Sequence, residues 1–132
     1  MLFRSVERIR ALLLDIDKSR RELTLFASGA EHFVPVGEIL FFESCDGKVY
    51  AHTREGVYTA EHKLFELLEL LPTCFVRASK SCIVNLLAIR SMRRELVGNG
   101  TLSFGGSGKI AYFSRSYYRS LKQTLEEMRS IV

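Results

Sequence analysis

Two turn signals in close succession constrain this chain more than any other feature. In "EILFFESCDGKVYAHTREGVYTA" the β-prone runs "EILFFESC" and "KVYAHT" are separated by Asp46 and Gly47, and the next run is reached through Glu55 and Gly56. Asp-Gly between two such runs favours the type I′ turn of a tight hairpin, whose two central residues both take positive φ. The spacing predicts a three-stranded antiparallel meander, and the flanking sequence extends it. "RELTLFAS" reads as a strand, Gly29 marks a turn, and "HFVPV" follows as a short strand that Pro35 confines to a sheet edge. Further on, "CFVRA", "CIVN", "TLSF" and "KIAYF" continue the β pattern, with "GNG" and "GGSG" as hairpin turns.

Helical periodicity interrupts this pattern in three places. Leu2, Val6, Ile9, Leu13 and Ile16 form an amphipathic stripe that ends by Lys18; Leu64, Leu67, Leu68 and Leu71 line a helix that Pro72 terminates; Tyr117 or Tyr118, Leu121, Leu125 and Met128 stripe a final helix. The expected organisation is an N-terminal amphipathic helix over residues 1–20 and one mainly β domain over residues 21–132. With 132 residues, 47% of them apolar, the chain can bury a core without disulfide staples. Its apolar runs, such as "LFELLELL", fall short of the roughly 18 residues that a membrane-spanning helix needs. Charges interrupt the N-terminus and no small-residue cleavage site follows, so no signal peptide is expected. Cys45, Cys74 and Cys82 show no metal-type spacing and are read as reduced, small core residues of a cytoplasmic protein.

Charge is segregated along the chain. Residues 1–72 hold 9 basic and 12 acidic side chains, whereas residues 73–132 hold 10 basic and 3 acidic. A cationic second half attracts polyanions, with nucleic acid and an anionic membrane surface as the candidates. Catalytic and metal chemistry find no comparable signal. "GGSGK" resembles a phosphate-binding loop, but Ser103 stands where its first glycine belongs and Ile110 follows the lysine. "NGT" at Asn99–Thr101 matches a glycosylation sequon, yet reads better as a hairpin turn. His32, His52 and His62 lack ligand-pair spacing, and no nucleophile elbow is present, so neither an enzyme, a cofactor nor a small-molecule substrate is expected.

Two basic elements remain. In "CFVRASKSCIVN" the polar residues Arg77, Ser79, Lys80 and Ser81 interrupt two apolar strand segments, as a recognition loop on a rigid β scaffold would. In "FSRSYYRSLK" Arg115, Arg119 and Lys122 crowd the start of the last helix, against its dipole. An external anion would relieve that conflict, held by free backbone N–H groups, the Ser114 or Ser116 hydroxyl and Arg115.

Together, "ILFFES", "KVYAHTREGVY", "LFELLELLPTCFVRASKSCIVNLLAI" and "GKIAYFSRSYYRSLK" resemble the LytTR family of bacterial DNA-binding domains over about residues 21–125. The most specific elements are Phe75, Arg77, Lys80, Ser81, Val84 and Asn85, together with the pair Ser114 and Arg115. The resemblance implies about ten short strands in small antiparallel sheets with a packed helix, flanked here by helices at both termini. It implies a response-regulator output domain that binds double-stranded promoter DNA through loops entering major grooves, bending the duplex. Carried over, the family's contacts fall on Lys48, Ser79, Lys80, Arg115 and Ser116, with Arg77 structural or phosphate-directed; Arg119 joins them from its place on the final helix. Ser79 stands where the family commonly has His. The resemblance also allows a homodimer on repeated half-sites and a membrane-bound inhibitory protein partner. No receiver domain is expected within residues 1–20, which are open to three roles: dimerisation, partner docking, or packing on their own domain. The rival from another class is a basic β interaction module for an acidic protein, an anionic membrane or RNA.

Overall fold

The computed structural model describes residues 2–130. Helix α1 (Leu2–Arg20) leads into β1 (Glu22–Ala27), β2 (Ala30–Pro35), β3 (Ile39–Cys45), β4 (Lys48–Thr53) and β5 (Val57–Ala60). Helix α2 (Leu64–Leu70) separates these from β6 (Phe75–Ser79), β7 (Cys82–Asn85), β8 (Ile89–Arg94), β9 (Gly100–Phe104) and β10 (Ile110–Phe113). A 3-10 turn over Arg115–Tyr117 opens into α3 (Tyr118–Ser130). The ten strands form an antiparallel seven-stranded sheet of order β2-β1-β5-β4-β3-β7-β6 and an antiparallel three-stranded sheet of order β10-β9-β8.

The meander is present as the turn signals require. Asp46 and Gly47 take φ of 51° and 77°, giving β3–β4 its two-residue hairpin turn. The β4–β5 connection differs: Gly56 needs no positive φ, and the turn is closed instead by Thr53, whose N–H donates to the Gly56 carbonyl at 2.9 Å and whose Oγ1 accepts from the Gly56 N–H at 3.1 Å. The strand bearing Pro35 lies at the sheet edge.

The central strands are buried on both faces. Ile39, Leu40, Phe41 and Phe42 are all inaccessible because both faces of β3 are covered, and a bulge between Ile39 and Phe41 breaks the strand's alternation. Ile39 and Phe42 join a core with Leu25, Ala51, Leu67 and Ile83, whereas Leu40 and Phe41 join a second core with Val84, Leu102, Phe104, Phe113 and Leu121. Helix α2 therefore covers one side of the large sheet, and the small sheet with α3 covers the other. Asn85, buried where the cores adjoin, satisfies both ends of its amide: Nδ2 donates to the Ile39 carbonyl at 3.0 Å and Oδ1 accepts from the Leu87 N–H at 3.1 Å.

Polar contacts also clamp the two sheets together at the β4–β5 turn. Lys109 Nζ donates to the Gly56 carbonyl at 2.6 Å, and Arg54 Nε donates to the Gly105 carbonyl at 2.8 Å. His52 stacks on Phe41 with ring centroids 4.2 Å apart, and its Nε2 lies 2.7 Å from Glu43 Oε1 while Nδ1 faces Lys109 Nζ at 3.5 Å. The neutral tautomer with the proton on Nε2 satisfies both neighbours. Burial lowers the His52 pKa, a push only partly opposed by the Glu43 carboxylate.

Helix α1 departs from the one role that would hide it. Its stripe residues Val6, Ile9, Leu13 and Ile16 are exposed, so the helix is not packed into its own domain by that face; the Leu2 side chain lies outside the described residues. Among the described residues, no helix is long and apolar enough to cross a membrane.

Candidate nucleic-acid interface

The "CFVRASKSCIVN" segment forms the β6–β7 hairpin, with Lys80 and Ser81 at its tip and Ser79 paired to Cys82. Its apolar flanks explain why it holds: Phe75, Ala78, Ile83 and Val84 are buried, anchoring the strands from both faces of the sheet. Arg77 is committed to its own hairpin, its Nη1 donating to the Lys80 carbonyl at 2.6 Å. Ser79 Oγ accepts from the Ser81 N–H at 3.2 Å. With these two residues bracing the turn, Lys80 stands exposed at the tip.

Lys48 begins β4 just after the Asp46-Gly47 turn and is exposed beside this tip. The Ser44 N–H donates to the Ser81 carbonyl at 2.8 Å, extending the β3–β7 pairing into both turns and setting the Lys48 and Lys80 hairpins side by side.

The Arg115 region reaches the same end of the molecule. A bulge between Arg77 and Ser79 frees the Ala78 carbonyl, which accepts from the Ser114 N–H at 2.9 Å. Two segments more than thirty residues apart in sequence are thereby joined directly behind Ser79 and Arg115. The Arg115 N–H donates to Asn99 Oδ1 at 2.7 Å. Gly98, at φ +95°, lies so close that a Cβ there would sit 2.9 Å from Arg115 Cγ, so the loop between β8 and β9 cradles the backbone and stem of Arg115. Ser114 and Ser116 hydroxyls lie 3.2 Å apart, and Ser116, Arg115 and Arg119 are exposed.

This geometry alters two readings of the sequence. The expected anion site with free N–H groups is largely occupied by the protein itself: Ser114, Arg115 and Tyr117 N–H groups donate to Ala78, Asn99 and Ser114 respectively. Side chains remain for an anion, namely the Arg115 and Arg119 guanidiniums and the serine hydroxyls. "NGT" is also not a two-residue turn; residues 95–99 form the loop, Gly98 carries the positive φ, and Gly100 is already in β9. Asn99 had no local signal for its role, because its partner lies 16 residues along the chain.

Between these elements lies a groove of about 310 Å³ lined by Ser79, Glu95, Asn99, Thr101, Tyr112 and Ser114. Tyr50 and Tyr58 do not share a face with each other, since Tyr50 pairs with Thr59 and Tyr58 with Ala51, and Tyr112 belongs to the other sheet. Three tyrosines so dispersed make no stacking platform of the kind that single-stranded RNA requires. Among the described residues no cluster of His, Cys, Asp and Glu is arranged for a metal ion. The reading of all three cysteines as core residues is corrected for Cys45, which ends β3 at the turn and is exposed. Cys82 is buried, and burial pushes its thiol up to about 12; Cys74 is half-buried and pushed up to about 11, also mainly by burial.

Comparison with known proteins bears on the same scaffold. The profile of the LytTr DNA-binding domain matches residues 30–126, so the chain belongs to that family. It is similar to the LytTr DNA-binding domain of a Bacillus cereus protein described as a methyl-accepting/DNA response regulator, with a TM-score of 0.71 and 27% identity over 80% of this chain and 95% of that one. It is 31% identical over 121 residues to an "uncharacterized HTH-type transcriptional regulator" of Staphylococcus aureus strain bovine RF122 / ET3-1, covering 91% of this chain and 80% of the relative. A relative of the same description from S. aureus strain NCTC 8325 / PS 47 is 30% identical over 122 residues, covering 92% and 81%. In this chain, strands separate each helix from the next, so α1, α2 and α3 do not make a helix-turn-helix.

Proposed function

We propose that this protein is a sequence-specific, double-stranded DNA-binding transcriptional regulator that reads major grooves through its loops. The observation that carries the proposal is the Ser114–Ala78 backbone bond, which joins the segment that continues into Arg115 and Ser116 to the one that continues into Ser79 and Lys80. Lys80, Lys48 and Arg115 are assigned to base edges, where Arg or Lys donates to the O6 and N7 acceptors of guanine at a discrimination of about 1–3 kcal/mol per contact. Ser79 and Ser116 add short-range hydrogen bonds, Arg119 meets phosphate, and Arg77 acts by holding the hairpin tip. The basic loops sit on short rigid turns, so duplex bending is assigned to the mechanism by which separate loops enter successive grooves. Two copies on repeated half-sites would double the contacts.

Selection of bound duplexes from a random library is the direct test, with single-stranded RNA and anionic vesicles as parallel arms. Enrichment of a duplex motif is expected; a library that stays random after repeated rounds would sink the proposal. For the winning duplex, log K should fall by about 0.9 per log unit of salt for each phosphate neutralised.

A further inference from the structure

We infer that α1 is a self-association helix, through which two copies of this chain pair in antiparallel orientation. Val6, Ile9, Leu13 and Ile16 recur at alternating three- and four-residue steps, the narrow seam of a two-helix interface. All four stand open, at 46%, 55%, 60% and 49% exposure. The domain holds α1 by a different side. Asp15 accepts from the Thr73 N–H at 2.6 Å and from the Thr73 hydroxyl at 3.2 Å, and the Val36 N–H donates to the Arg21 carbonyl at 3.1 Å. These contacts fix the C-terminal end of the helix and leave the seam directed away from the β body.

The charges beside the seam choose the occupant. Arg10 follows Ile9 and Asp17 follows Ile16, so both flank the same edge of the stripe. In an antiparallel pair that sets Val6 against Ile16 and Ile9 against Leu13 of the second copy, side chains lean toward their own N-termini and Arg10 of each copy meets Asp17 of the other. Two such pairs arise by symmetry. Asp17 already takes a bond from Arg21 at 2.7 Å, but both side chains are more than half exposed, which leaves the carboxylate open to a second cation. Leu12 and Leu14 are exposed beside the seam as well, at 63% and 60%, but an anionic lipid surface fits less well than a second copy, because the Asp17 carboxylate stands at the edge of the seam where a lipid headgroup would repel it and Arg10 of a second copy would pair with it.

Sedimentation equilibrium of the full chain without DNA tests this independently of any nucleic-acid reading. A concentration-dependent dimer is expected. Ile9→Asp with Leu13→Asp should weaken it at least tenfold while leaving the melting temperature of the β body unchanged. Asp17→Arg should weaken it, and adding Arg10→Asp to that variant should restore it. The inference is overturned if the unaltered chain is monomeric at all concentrations, if the seam variants dimerise as before, or if the charge exchange fails to rescue. It is equally overturned by a monomer whose seam variants melt early, showing the helix folded back on its own domain, or by a monomer that binds phosphatidylglycerol vesicles through α1.

Discussion

On the proposed reading Arg115 contacts DNA, and Asn99 positions it through the backbone. The Asn99 amide oxygen holds the backbone N–H that precedes the Arg115 side chain, at 2.7 Å and in the open. Asn99→Ala should therefore weaken binding to a selected duplex by about fivefold, the worth of about 1 kcal/mol for one hydrogen bond. Arg115→Ala should cost tenfold or more by losing the contact itself, on the scale of about 1–3 kcal/mol. The double variant should be little worse than Arg115→Ala alone, which a double-mutant cycle by fluorescence anisotropy will measure. Lys80→Ala should likewise weaken specific binding with the thermal melt unchanged, because its side chain is exposed and its backbone carbonyl still receives Arg77. Cys45 supplies a handle of its own. It is the exposed thiol among three, three residues before Lys48, although Asp46 beside it raises its pKa. At mildly alkaline pH it should be alkylated ahead of Cys74 and Cys82, and bound duplex should protect it; undiminished alkylation in the complex would remove the Lys48 hairpin from the interface.

At the scale of elements, the junction between the sheets is where acid should act. The folded protein keeps His52 below the ordinary imidazole pKa, whereas the unfolded chain takes up a proton at about 6.5. As pH falls through that value the unfolded state binds more protons, so stability is full above it and is lost on the way down to the folded pKa. The melting temperature should fall between about pH 7 and pH 5.5, and His52→Gln, which keeps a hydrogen-bonding side chain but cannot titrate, should flatten that slope. Elements whose signals are local were legible in the sequence: Asp46-Gly47 marks the β3–β4 hairpin, Pro35 the sheet edge, Pro72 the end of α2, and Leu121 the buried stripe of α3. Features made by distant contacts were not. Alternation cannot announce that a bulge will bury both Leu40 and Phe41 on the same side, nor that Ala78 will expose its carbonyl to Ser114. The stripe of α1 was legible as a helix, but periodicity reports that a face is apolar and not what covers it.

For the molecule as a whole, charge placement predicts a graded salt response on the proposed reading. Arg119→Ala, a loss at phosphate, should weaken all duplexes alike and reduce the salt slope by about 0.9, whereas Arg115→Ala should also relax base preference. The frame that carries these side chains is cross-linked between its loops. Of three hydrogen bonds, those from Ser44 to Ser81 and from Ser114 to Ala78 fasten the Lys48, Lys80 and Arg115 loops to one another, and the one from Arg115 to Asn99 ties the Arg115 loop to the β8–β9 loop. On the proposed reading a frame so joined keeps its reach, and the work of fitting falls on the nucleic acid. Two operators with identical contacted bases and different intervening steps would then be distinguished by how readily each yields, at a cost on the order of 1–6 kcal/mol for a bend of this class. Because Asn99 holds one of these three joints, loosening it should narrow that gap between stiff and pliant operators while it lowers affinity for both.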